Sequence, residues 1–345
     1  MRATQLSTVV ITLMISIVMG IYCSLKADAP NMAQQWLVFQ GTNGPGVGKH
    51  IVFLSGDEEY RSEECLPMLA KILAYRHGFK CTVLFAIDPA DGTINPNVRT
   101  NIPGISELKT ADACVMFLRF RELPDEQMKY FVDYLNSGGA IIALRTSTHA
   151  FAYDVNKQSQ YARFDWRSQD WPGGFGQQVL GETWVSHHGE HGKESTMAIP
   201  SPEAQTHPIL KGIQRIWVPT DVYTVVHLPT NALVLMRGQV LAGMRPSDPP
   251  VQGKKNNPMM PVAWVNSWKG SSGKESKIFC STMGSAVDFL DKDLRRLIIN
   301  ACYWAVGLEK AITPELDVDF IGEYKPGWFG FNGYKKGVRP SDYLK

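Results

Sequence analysis

The sequence predicts an α/β domain whose mostly parallel sheet carries helices on both faces. Three observations predict it. Short, almost continuous apolar runs recur at 50–54, 113–118 and 140–144, as expected of strands buried on both sides. Stretches with helical periodicity lie between such runs, which requires crossover connections and hence parallel neighbours. Glycines (Gly78, Gly138, Gly139) then close each helical stretch.

The first strand reads His50-Ile-Val-Phe-Leu54. Ser62 is placed to cap the helix that follows, with Leu66, Leu69, Ala70 and Leu73 on its buried face and Pro67 near its first turn. Lys80 to Ala86 is the second strand and Ala113 to Leu118 the third. Pro124 opens a helix whose Asp125 and Glu126 complement its dipole and whose Met128, Phe131, Val132 and Leu135 form the buried stripe. Ala140 to Leu144 is the fourth strand. Further strands are expected at 195–199, 222–226, 232–236, 262–265 and 277–281, then a helix from Asp288 to Val306 capped by Gly307. Residues 30–48 read as a Gly-rich leader, 49–312 as one domain, and 313–345 as an extended tail lying on it.

Bulk properties narrow the function classes. The chain has 345 residues, 44% hydrophobic and 20% charged, with a formal net charge of +2. That is an ordinary globular composition with no basic stripe, so nucleic acid is not an expected partner. At the N-terminus, Arg2 precedes an uncharged run from Ser7 to Leu25. Residues 1–29 thus have the layout of a secretory signal peptide, or alternatively an N-terminal membrane anchor. The expected location is periplasmic or extracellular, with membrane contact only through that segment. Beyond Cys23, five cysteines lie mostly in apolar patterns without C-x-x-C spacing, which suits core packing, with one disulfide still allowed in an oxidising compartment.

In an open parallel sheet, ligands bind beyond the carboxyl ends of the strands. That edge collects Asp57 to Arg61 after the first strand, Arg119 and Arg121 after the third, and Arg145 to His149 after the fourth. A structural ion-pair network is the competing reading for these charges. Ser147 is the only nucleophile candidate, but Arg145 and His149 stand where a nucleophile elbow has glycines, so an acyl-enzyme or amidotransferase mechanism is not expected. An aromatic insert follows (Phe151, Tyr153, Tyr161, Phe164, Trp166, Trp171, Phe175), suited to covering the sheet end or to stacking on a sugar. Gly181 to His191 holds three histidines and two carboxylates. Its spacing matches no strong zinc signature, so no cofactor is expected; a divalent metal at His187, His188 and His191 is the weaker reading. The catalytic candidates are His149 or His188 to move protons, with Glu182 or Asp57 to orient them. Arg119, Arg145, Tyr60, Trp184, His207 and Asp221 are the candidates for binding substrate.

Several segments, in this order, carry a family likeness: Asp57-Glu-Glu-Tyr-Arg-Ser, Gly138-Gly-Ala-Ile-Ile-Ala-Leu, Thr206-His-Pro, Asp221-Val-Tyr, Pro261-Val-Ala-Trp, Phe279-Cys-Ser-Thr-Met-Gly and Asn300-Ala-Cys-Tyr-Trp-Ala-Val-Gly. From about His50 to Leu308 the chain resembles the ThuA-like (trehalose utilisation) family. With Trp184 to His191 and the aromatic tail, it is similar to exported members from planctomycete-type bacteria. The resemblance implies a flavodoxin-like, class I glutamine amidotransferase-like fold and a small carbohydrate ligand, such as a keto-sugar supplied by partner sugar dehydrogenases. Two departures stand out. Family members often have His where this chain has Arg145, and Gly-His where it has Gly284-Ser285. The expectation is a carbohydrate-active hydrolase, lyase or isomerase working by acid–base chemistry without a covalent nucleophile. The alternative is a non-catalytic carbohydrate-binding module serving exported partner enzymes.

Overall fold

The computed structural model describes residues 35–344. The N-terminal apolar run, with its signal or anchor reading, lies outside the described residues, and no described helix is long and apolar enough to cross a membrane. Ten strands form one sheet: β1 (Trp36–Gln40), β2 (His50–Gly56), β3 (Lys80–Phe85), β4 (Ala113–Leu118), β5 (Ala140–Leu144), β6 (Thr196–Pro200), β7 (Ile216–Val218), β8 (Leu233–Val240), β9 (Met260–Lys269) and β10 (Glu275–Ser281). The described α-helices are α1 (Ser62–His77), α2 (Asp125–Asn136) and α3 (Lys292–Ala305).

The spatial order is β1-β3-β2-β4-β5-β10-β9-β8-β6-β7. From β3 to β10 neighbouring strands run parallel, whereas β9, β8, β6 and β7 are added antiparallel and β1 pairs antiparallel at the other edge. The sheet is therefore mixed, not mostly parallel. No helical crossover separates β8, β9 and β10, and without one successive strands return antiparallel.

Alternate residues of the parallel strands enter different core clusters, as the two-residue side-chain period demands. Ile51, Phe53, Val83, Val115 and Ile142 pack with Leu66, Leu69 and Leu73 of α1 and with Leu294, Leu297 and Ile298 of α3. Val52, Leu54, Met116 and Ile141 pack with Met128, Phe131 and Leu135 of α2 and with the aromatic insert.

Five local readings are corrected. Residues 36–40, inside the stretch read as leader, form β1, with Leu37 and Phe39 buried beside β3. The three-residue strand β7 was unforeseen. Residues 222–226 are not a strand. Their backbone serves the histidine-rich insert: His188 and Gly189 donate to the Val222 carbonyl and Thr224 donates to that of Ser186. Ser62 does not cap α1; its hydroxyl meets Ser55 Oγ at 2.8 Å and the Asp57 amide at 3.1 Å, tying α1 to the end of β2. Finally, α3 starts at Lys292 with Asp291 as its cap, accepting from the amides of Asp293 and Leu294. Asp288 instead lies in a separate short turn (Ala286–Leu290), accepting from the amides of Gly284 and Ser285 and from the Thr220 hydroxyl.

Among the described residues, the C-terminal segment from Thr313 carries no α-helix or strand and ends in a short turn at Pro340–Leu344. It crosses α1 and α3, where Arg76, Arg295 and Arg296 donate to its carbonyls, and ends with Tyr343 stacked on Phe85. The five cysteines of the described residues are all buried and free.

Candidate functional site

The connection from β2 runs to β3 on one side, while β4 lies on the other, so the crevice between the ends of β2 and β4 is the topological switch point. The loops after β2, β4 and β5 meet there. Ser147, after β5, donates to the Met116 carbonyl at 2.9 Å and accepts from the Leu118 amide, locking that loop onto β4. Asp57 accepts from the amides of Glu59 and Tyr60 and from the Thr146 hydroxyl at 2.6 Å, joining the loops after β2 and β5.

The turn after β5 is strained even though bulky residues, not glycines, form it. Arg145 itself has φ 38°, in the left-handed region that a non-glycine residue rarely occupies. Its surroundings offset that strain. The guanidinium lies 4.3 Å from the ring centres of both Tyr60 and Tyr223. It donates to Asp221 Oδ1 at 2.8 Å, to the Thr282 carbonyl at 2.8 Å and to the Tyr60 hydroxyl at 3.1 Å. Burial opposes its charge, but Tyr223, Tyr60, Asp221 and Asp288 hold it protonated. The elbow position thus carries a pinned cation, and Ser147 spends its hydroxyl on β4.

Asp221 completes this floor. Its carboxylate is fully buried and accepts from Arg145, from His187 Nδ1 at 2.6 Å and from His191 Nδ1 at 3.0 Å. Burial alone would raise its pKa; the two imidazoles and Arg145 hold it well below the usual carboxylate range. Because an ionised carboxylate only accepts, both histidines donate from Nδ1, which leaves each Nε2 for other work. His191 Nε2 stands 3.6 Å from Glu59 Oε1.

Above the floor lies a cavity of about 50 Å³, lined by Glu59, Arg119, His149, Trp184 and His187 together with Tyr60, Phe120 and Tyr223. Arg119 ion-pairs with Glu58 and reaches Glu59 at 3.7 Å. Burial raises the pKa of Glu59 against the pull of Arg119. Burial, reinforced by the cations Arg119 and Arg145, lowers that of His149 well below its ordinary value, so the imidazole is neutral near pH 7. Its Nδ1 meets Thr148 Oγ1 at 3.2 Å.

Four of the expected site residues therefore line one cavity: His149, Arg119, Tyr60 and Trp184. Arg145 and Asp221 lie directly beneath, and Asp57 organises the loops. Three residues are placed elsewhere. Glu182 accepts from the amides of Thr183, Val226 and His227 and from the His227 ring, fixing a turn. His188 Nε2 meets the Lys255 carbonyl at 2.8 Å, turned away from its neighbour His187. His207 accepts from the Ile209 amide and packs against Trp304. Phe120 is the lining residue that the sequence reading did not name; Glu59 entered it only as part of the charged edge, His187 only as a metal-ligand candidate, and Tyr223 only beside Asp221. The pairing of Glu59 with Tyr60 at the end of β2 was the available signal.

Among the described residues, His187, His191 and Asp221 are the group whose ligand atoms converge, all within 4.8 Å of one another. His188, part of the metal set considered from the sequence, is not among them. Both Asp221 oxygens already accept hydrogen bonds, and the Arg145 charge at 2.8 Å from Asp221 opposes a cation there.

No curated protein matches the chain. Among solved structures, a ThuA-like protein from Parabacteroides merdae is 13% identical with a TM-score of 0.49, over 75% of this chain and 90% of that one. A ThuA-like protein from Bacteroides uniformis is 15% identical with a TM-score of 0.49, over 80% and 99%. A family model described as ThuA, trehalose utilisation, matches residues 99–305, more than half of the sequence, and the chain accordingly belongs to the ThuA family.

Proposed function

We propose that this protein acts on a sugar or keto-sugar derivative by acid–base chemistry at the cavity between the ends of β2, β4 and β5, without a covalent nucleophile. The observation that carries this reading is the convergence of Glu59, Arg119, His149 and His187 on one small cavity. Glu59, with its raised pKa, is the group to take and return a proton. Arg119 holds a hydroxyl or carbonyl oxygen of the ligand. Neutral His149 hydrogen-bonds the reacting oxygen, and His187, oriented by Asp221, relays protons at the mouth. Membership of a trehalose-utilisation family supports a saccharide ligand. The flavodoxin-like, class I glutamine amidotransferase-like ancestry and an exported location belong to the same proposal, as do sugar dehydrogenases as partners.

Incubating the purified protein with a panel of glycosides and keto-glycosides, followed by product analysis, tests it. The expected outcome is turnover that Glu59→Gln and His149→Asn each lower by about 100-fold or more. A second reading, a binding module without turnover, is favoured by the small size of the cavity, about 50 Å³. Sugar binding with no turnover, unchanged by either substitution, decides for that module.

A further inference from the structure

The inference concerns the C-terminal tail, and it rests on the saccharide reading above. A cavity of about 50 Å³ is far below the roughly 300–1,000 Å³ of ordinary small-molecule pockets. A sugar can insert one substituent there, and its ring must lie across the mouth. What borders that mouth decides what else the ligand contacts.

The tail borders it. Phe331 stacks on Arg119, whose guanidinium lies 4.9 Å from the Phe331 ring centre and 4.5 Å from that of Phe120. Phe329 packs against His191 and Tyr60, at 5.2 and 5.7 Å between ring centres, and Trp328 stacks on Phe329 at 4.8 Å. Arg119 and Tyr60 line the cavity, so Phe331 stands one side chain from it and Trp328 two. Both rings are open to solvent: Trp328 is 56% and Phe331 58% exposed.

The segment that presents them is fixed in place. The Gly330 amide donates to the Glu59 carbonyl at 2.7 Å, and its own carbonyl accepts from Arg61 Nη2 at 2.6 Å. The Gly327 amide donates to Glu64 at 2.6 Å. Gly330 has φ 138°, a backbone conformation that other residues rarely adopt. Arg61, which reaches the tail, is itself held at φ 61°. Large apolar rings exposed on a segment pinned to the backbone of a cavity residue form a preorganised surface. Flat apolar faces of this kind suit the face of a sugar ring. All of it lies outside the residues 99–305 that match the family model.

We propose that residues 327–333 form an outer subsite, in which Phe331 and Trp328 stack on the second ring of a disaccharide or larger glycoside while the first ring offers one substituent to the cavity. The tail then selects for ligand length, separately from the chemistry below it.

Isothermal titration of the full chain with methyl α-glucoside and with trehalose tests this. Wild type is expected to bind trehalose about tenfold more tightly than methyl glucoside, the scale of one aromatic stacking contact. Phe331→Ala and Trp328→Ala should each weaken trehalose binding roughly three- to tenfold and leave methyl glucoside within about twofold. Phe331→Tyr, which keeps the ring, should restore it. Trehalose binding unchanged by both alanine variants overturns the outer subsite while leaving the cavity's role intact. A wild-type protein that binds neither sugar overturns the saccharide reading itself, and the subsite with it.

Discussion

The floor and the rim of the cleft use similar residues in opposite ways. In the floor, Arg145 and Asp221 are fully buried, Asp221 accepts on both oxygens, and Arg145 is clasped by Asp221, two tyrosines and two carbonyls. In the rim, Arg119 and Glu59 are looser. Their closest approach is 3.7 Å, and both face the cavity. The floor is a structural element that orients His187 and His191, and the rim is where unspent donors and acceptors remain. A charged residue at the end of a parallel strand can therefore serve either purpose, and its hydrogen-bond partners decide which.

The largest expected effect breaks the floor. Arg145→Met leaves Asp221 buried without its counter-ion and is expected to destabilise the fold by about 3–5 kcal/mol, measured by urea unfolding. Arg145→Lys should rescue little of it, because an ammonium cannot span both Asp221 and the carbonyls while stacking between two rings.

A second prediction sharpens the contrast through two buried carboxylates. Asp221 has three donors. Glu63 has none on either oxygen and is pushed up to about 8 by burial. Asp221 is depressed in the fold, so its contribution is present at neutral pH and is lost as pH falls through and below its ordinary 3.8. Glu63 runs the other way. The folded chain keeps a proton that the unfolded chain releases, so stability falls as pH rises from about 4.5 to about 8. Glu63→Gln should remove that slope and stabilise the protein at pH 8 by on the order of 3 kcal/mol, read from unfolding curves at several pH values. A stability gain that does not vary with pH would contradict it.

The third prediction breaks the rim. Glu59→Gln is expected to lower turnover about 100-fold or more while changing stability by less than about 1 kcal/mol. The smallest effect is at Ser147. Ser147→Ala should lose about 1 kcal/mol of stability through its bonds to β4 and leave turnover unchanged. Loss of all turnover there would mean that the elbow carries a nucleophile after all.

Much of the parallel half was legible because its signals are local. The runs at 50–54, 113–118 and 140–144 and the stripe of α2 each announce themselves within a few residues. The segment at 222–226 reads as a strand just as well, but its amides and carbonyls are taken by the insert at 186–189, which no local pattern reveals. The same limit applies to the site. Topology brought Arg119, Tyr60 and His149 to one edge from sequence alone. That His187 faces Asp221 while its neighbour His188 turns to Lys255 depends on an irregular insert without periodicity. Glu182 and His207 look like site residues because carboxylates and imidazoles do, and each closes a local turn instead.

The central claim is that the rim performs chemistry which the floor only positions. Turnover of a keto-glycoside by Glu59→Gln, measured beside its unfolding free energy, tests this most directly. The account predicts a fall of about 100-fold in rate with the fold intact. Wild-type turnover by a folded Glu59→Gln protein would contradict it.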